Sequence, residues 1–155
     1  MNLRFPTHLQ RALTPLLSSN GPSLAIIIGS AASRAGLPYI VTYASCKAYI
    51  ARFTDGFRLE ARAEALDIEV LGILISNTAT ASNTTNMAGF TATPEVIAKG
   101  SLAKVGCGRT EAWAWWRHWA QATFVTVLPA SVIEGEMLKM MEVRRADHER
   151  ELKEL

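Results

Sequence analysis

Cysteine is scarce in this chain. Cys46 and Cys107 are too few for a disulfide scaffold or a Cys-rich zinc site. Histidine is scarce too: His8, His118 and His148 lie far apart and form no cluster at metal-ligand spacing, so no metal is expected. Neither sign of charge dominates. Sixteen basic against 14 acidic residues leave a formal net charge of +2, which argues against a nucleic-acid partner held by net charge. The opening MNLRFPTHLQ has no apolar signal core, so nothing marks secretion, and a reduced intracellular setting is the expectation. The uncharged stretch 119–133 falls short of the roughly 20 residues that cross a bilayer. Gly-x-Ser-x-Gly is absent, which disfavours a serine hydrolase.

What the sequence does hold is an ordered globular composition. Hydrophobic residues make up 49% and charged residues 19% of 155, enough for one domain with a real core. Residues 2–17 set Leu3, Leu9, Leu13, Leu16 and Leu17 near helical spacing, with Pro15 close to the end. LAIII at 24–28 is continuously apolar and β-branched, as suits a parallel strand covered on both faces. Residues 43–66 read as a long amphipathic helix, and IEVLGILI at 68–75 as a second buried strand. Strand, long helix, strand is a βαβ unit, right-handed in nearly all known cases. The fold class is therefore α/β with a parallel sheet.

Residues 76–93 are polar and rich in Thr and Asn. They mark a loop at the carboxyl end of the second strand, the edge where ligands bind in open α/β sheets. Thr93, Pro94 and Glu95 then start a short helix that runs to about Val105, and Gly106 and Gly108 break the chain. Beyond them, Trp113, Trp115, Trp116 and Trp119 share one broad arc at about 100° per residue, with Arg117 and His118 outside it. That predicts a helix whose aromatic face either packs or lies on a membrane surface. The end, EVRRADHERELKEL, reads as a charged, solvated helix.

One constellation carries chemistry. Ser30 leaves the first strand, Tyr43 follows thirteen residues later, and Lys47 follows Tyr43 by four. Residues four apart stack on one helix face, so the phenol and the ammonium can serve one site. An ammonium beside a phenol favours the phenolate, which makes a tyrosine usable as an acid or base near neutral pH. Ser30 can reach the same space and hydrogen-bond a substrate oxygen. Together these groups could protonate a carbonyl oxygen while hydride arrives at its carbon. Tyr-x-x-x-Lys alone is a weak signal. The upstream serine, and the placement at a strand end and a helix start, make the combination far rarer by chance. The plainer reading has Ser30 capping a turn, Tyr43 packing and Lys47 solvated.

These residues resemble the short-chain dehydrogenase/reductase family. The likeness rests on Asn2, the strand LAIIIGS with Ser30, Tyr43-Ala-Ser-Cys-Lys47, and IEVLGILI followed by SNTATAS. It implies a catalytic tetrad of Asn2, Ser30, Tyr43 and Lys47. Tyr43 would donate the proton and Ser30 would orient the carbonyl. Lys47 would bind the nicotinamide ribose, and Asn2 would hold a relay water. Asn2 also reads as a plain helix N-cap. The family's Pro-Gly-x-Val-x-Thr loop falls on Ser76-Asn77-Thr78-Ala79-Thr80, with Ser76 in place of the proline. Ala79 and Thr80 would then join Tyr43 and Lys47 as cofactor-binding residues.

A narrower likeness is to very-long-chain 3-oxoacyl-CoA reductases and related 17β-hydroxysteroid dehydrogenases, especially fungal ones. It rests on GSAASRAGLPYIVTYASCKAYI, PEVIAKGSLAKVGCG and the WRHWAQ stretch with Leu128-Pro129. NADP (as NADPH) is the cofactor it implies, with a small-molecule ketone or alcohol as substrate. Localisation would be cytoplasmic or at the endoplasmic-reticulum membrane, with peripheral contact through Trp113–Trp119. The family also implies a homo-oligomer, or pairing with a full-length relative, through the 43–66 helix.

The Gly-rich turn and the early strands of that family do not occur here. The chain therefore reads as a partial Rossmann-like, doubly wound sheet lacking the N-terminal dinucleotide-binding half, from a truncated gene product, a wrongly assigned start or a split relic. Residues 1–83 would be the C-terminal half of the catalytic domain and 84–110 a substrate lobe. Residues 111–155 would form a Trp-rich helix and charged tail. The function expected is NAD(P)H-dependent reduction of a ketone of 3-oxoacyl, steroid or polyketide type. The alternative is an inactive remnant serving as an interaction or membrane-associated module.

Overall fold

The two β-branched runs pair side by side, but the cover expected on both faces is found only for residues 68–74; in residues 23–28, at the sheet edge, only Ala25 is buried and Leu24 and Ile28 are exposed. β1 (Ser23–Ile28) and β2 (Ile68–Leu74) are parallel, in register from Ser23 opposite Ile68 to Ile28 opposite Ile73. The ladder continues beyond β1: the Gly29 and Ala31 N–H groups donate to the Ile73 and Ile75 carbonyls at 2.7 and 2.8 Å. A third parallel strand, β3 (Glu111–Trp113), pairs with Gly72–Leu74 on the other edge of β2, giving the order β1-β2-β3. This computed structural model describes residues 3–80, 83 and 89–151, without the side chains of residues 147, 148 and 151.

Helices cover both faces of the central strand. On one face Ala25, Ile68 and Val70 meet Phe57 and Ala61 of α2 (Val41–Ala63), with Leu17 of α1 (Arg4–Ser19) beside them. On the other, Leu71 and Ile73 pack with Ala112, Ala114 and Ile97 of α3 (Pro94–Leu102). Burying a side chain of this size stabilises by about 1.5–3 kcal/mol, so these two clusters and not helix propensity hold the layers together. The leucine stripe of α1 behaves differently from its pattern: Leu3, Leu9, Leu13 and Leu16 stay exposed and only Leu17 joins a cluster.

Local signals set the element ends. The Thr93 hydroxyl accepts the Val96 N–H at 3.3 Å, with Pro94 in the first turn, so α3 starts where its cap residues place it. α3 lies close against the chain leaving β3. A Cβ at Gly100 would overlap the Ala114 carbonyl oxygen, so this approach requires glycine.

The expected helix through the tryptophan cluster is not what forms. Residues 111–113 are strand, Trp115 is extended, and α4 spans Trp116–Thr126. The edge of β2 offers an unpaired ladder that three residues of backbone satisfy, and three residues are too few for a periodicity to register. The tryptophans therefore share no single helical face. His118, expected outside the arc, is the fully buried residue of α4. The uncharged stretch 119–133 is divided at Pro129 between α4 and α5 (Ala130–Glu151). Among the described residues no helix is long and apolar enough to cross a membrane.

Candidate active site at the carboxyl edge of the sheet

Ser30 continues from β1 in extended backbone, with φ −155° and ψ 150°, and is buried. Its Oγ accepts the Ala32 N–H at 3.2 Å, which caps a short 3₁₀ turn over Ala31–Arg34. A hydroxyl that accepts in this way still has its own hydrogen to donate. The turn packs on α2 and is tied to β3 by the Arg34–Glu111 ion pair.

α2 opens at Val41, so Tyr43 stands in its first turn and Lys47 one turn further on. The Lys47 ammonium lies 5.8 Å from the centre of the Tyr43 ring. It also donates a long hydrogen bond, 3.5 Å, to the carbonyl of Ile28, the last residue of β1 and two before Ser30. Tyr43 is 40% exposed, so its ring is open to a ligand. The phenol and ammonium thus share one helical face, and the ammonium is drawn to the strand end that carries Ser30. Asn2 lies outside the described residues, as do residues 81, 82 and 84–88 of the loop.

The loop after β2 is tied down by side chains. Asn77 is buried; its Nδ2 donates to Thr91 Oγ1 at 2.6 Å, and its Oδ1 accepts from Asn83 Nδ2 at 2.9 Å. Thr78 bridges to Ala92 as a parallel pair, and the Ala79 N–H donates to the Ala92 carbonyl at 2.9 Å. Thr80 exchanges backbone hydrogen bonds with Asn83 at 3.0 and 3.2 Å. Ala79 and Thr80 therefore sit in an ordered turn that starts at the carboxyl end of β2.

His118 closes this arrangement from α4. Its Nδ1 accepts the Ser76 N–H at 3.1 Å, and its Nε2 faces the carbonyls of Asn77 and Phe90, each at 3.2 Å. The ring is 0% exposed, and burial pushes it below its ordinary pKa of 6.5. The hydrogen bonds to the Phe90 and Asn77 carbonyls oppose that shift without cancelling it. Sequence reasoning missed both Asn77 and His118. The signal for His118 was faint: a lone histidine among tryptophans, before a stretch without charge.

No family model matches the chain. It is 23% identical over 114 residues to the very-long-chain 3-oxoacyl-CoA reductase of Neurospora crassa, a stretch covering 70% of this chain and 34% of that protein. Among solved structures it superposes on a short-chain dehydrogenase from Burkholderia cenocepacia in complex with NADP. The TM-score is 0.73 and the identity 21%, over 88% of this chain and 57% of that one. A 7β-hydroxysteroid dehydrogenase matches at TM-score 0.65 and 20% identity, over 88% of this chain and 52% of that one. The chain spans about a third of the curated relative's length and little more than half of the two solved chains. The chain is thus similar in sequence to part of a very-long-chain 3-oxoacyl-CoA reductase and shares the Rossmann-like fold of two solved short-chain dehydrogenases over part of their length.

Proposed function

We propose that this chain carries the carbonyl-reducing half of an NADPH-dependent short-chain reductase, acting on a ketone of 3-oxoacyl or steroid type. The observation that supports it best is the Tyr43–Lys47 pair on one face of α2, with the ammonium held at the end of the strand that carries Ser30. An ammonium and a phenol side by side at an open strand edge suit the hydroxyl-bearing ribose of a nicotinamide nucleotide. When bound, the reduced nicotinamide supplies a hydride to the carbonyl carbon and is itself oxidised. Tyr43 holds the proton that the carbonyl oxygen takes as its C=O π bond breaks. Ser30 donates its hydroxyl hydrogen to that oxygen and keeps it in place. Lys47 binds the ribose. Ala79 and Thr80 border the nicotinamide from the loop after β2. The choice of NADPH leans on the solved relative that holds NADP.

The test is an NADPH fluorescence titration of the folded chain, followed by absorbance assays on a 3-oxoacyl-CoA and a steroid ketone. Tyr43→Phe is expected to keep the fold and the binding and to lower turnover by about 10²–10⁴-fold. Turnover that survives in the variant removes Tyr43 from the acid role. A folded chain that binds no NADPH overturns the reductase reading. It then favours a binding module that docks through α2 as a homo-oligomer or with a relative, or on a membrane through Trp113–Trp119.

A further inference from the structure

We propose that His118 is a positioning residue: its buried ring fixes the backbone of Ser76 and Asn77, and with it the Thr78-Ala79-Thr80 segment at the edge of the site. The role toward a nicotinamide rests on the function proposed above, whereas the clamp itself rests on contacts alone.

The contacts specify the ring. A donor, the Ser76 N–H, faces Nδ1 at 3.1 Å, and two acceptors, the carbonyls of Asn77 and Phe90, face Nε2 at 3.2 Å. That pattern admits one proton arrangement, a neutral ring with its hydrogen on Nε2. The ring joins three stretches of chain: the first turn of α4, the exit of β2, and the returning arm of the loop at Phe90. Trp115 meets it edge-on at 5.1 Å between ring centres, which limits its rotation. Arg117, the next residue back, stacks over Trp115 and Trp116 and donates to the Gly89 carbonyl at 3.0 Å, so α4 grips the returning arm twice.

Space filling alone does not explain the residue. Leucine or phenylalanine would fill a dry pocket without the desolvation cost of an imidazole. What the imidazole adds is direction. Ser76 and Asn77 are held while the chain turns from β2 toward Ala92, and the Thr78–Ala92 bridge and the Ala79–Ala92 hydrogen bond follow from that turn.

Two variants of the chain separate the clamp from mere packing. His118→Phe keeps an aromatic ring and removes both hydrogen-bonding functions, while His118→Gln restores an acceptor and a donor. Amide hydrogen exchange, read without any cofactor, is expected to speed up at Ser76 by about tenfold or more in the Phe variant, the loss of one buried hydrogen bond. The Gln variant should return it toward the parent, with Leu71 and Ile73 unchanged in both. Equal protection of Ser76 in all three proteins overturns the clamp. So does an equal acceleration at Leu71 and Ile73, which marks global loosening. Should the Phe variant not fold, ¹⁵N imidazole shifts of the parent decide: an unprotonated Nδ1 beside a protonated Nε2 supports the clamp, and any other state refutes it.

NADPH titration then tests the consequence. The dissociation constant should rise about tenfold in the Phe variant and recover in the Gln variant. An unchanged constant beside a deprotected Ser76 overturns the positioning role. A parent chain that binds no NADPH instead removes the reductase reading, and the exchange result still decides the clamp.

Discussion

A buried, neutral histidine makes stability depend on pH with a sign that can be worked out. The folded chain holds His118 below its ordinary pKa of 6.5, chiefly through burial. As the pH falls through that ordinary value, the unfolded chain takes up a proton that the folded chain still refuses. The unfolded state then binds more protons, so stability falls with falling pH. The contribution is fully present above about pH 6.5 and is lost progressively below it, down to the folded-state value. The slope of one such group approaches ~1.4 kcal/mol per pH unit, and one unit below 6.5 the loss is at most about 1.4 kcal/mol. With a urea dependence of about 1–3 kcal/mol per molar, that lowers the unfolding midpoint by roughly 0.5–1.4 M. Urea melts of the parent and of His118→Gln at about pH 7.5 and about pH 5.5 isolate the effect, because every other titrating group is common to both proteins. The parent should lose more than the variant by up to this amount. Equal losses would refute the account of His118 as a proton-refusing core group.

Two further outcomes concern the parts that frame the site. Gly100→Ala should destabilise by about 1–3 kcal/mol, because the added methyl meets the Ala114 backbone and α3 has to move; an unchanged thermal midpoint would show that the contact yields freely. Thr93→Ala should cost about 1 kcal/mol through the lost cap on the Val96 N–H, with Thr93→Ser close to the parent; equal losses in both would remove the cap as the cause.

Some of this molecule is visible in one dimension because the physics behind it is local. Tyr43 and Lys47 share a face since four residues make about one helical turn, whatever surrounds them. IEVLGILI announces a strand covered on both faces, as its continuous apolarity suits, while LAIII, equally apolar, forms a strand at the sheet edge with Leu24 and Ile28 exposed. Thr93 followed by proline marks a helix start through its own hydroxyl. Other features carry no local trace. β3 is three residues long and exists because β2 has a second edge to satisfy. The α1 leucines show the helix but not their exposure, since exposure depends on what packs above them.

The site divides along the same line. The amino-acid order by itself determined the α/β class, the two long parallel strands and the phenol–ammonium pair, because strand burial and helical spacing act within a few residues. Only the tertiary structure decided that His118 leaves the aromatic arc, that it joins residues 42 and 28 positions away in the chain, and that the loop after β2 is held from α4. A donor–acceptor match across such separations has no period to read. It comes into being when β3 docks on β2 and carries the start of α4 against the loop.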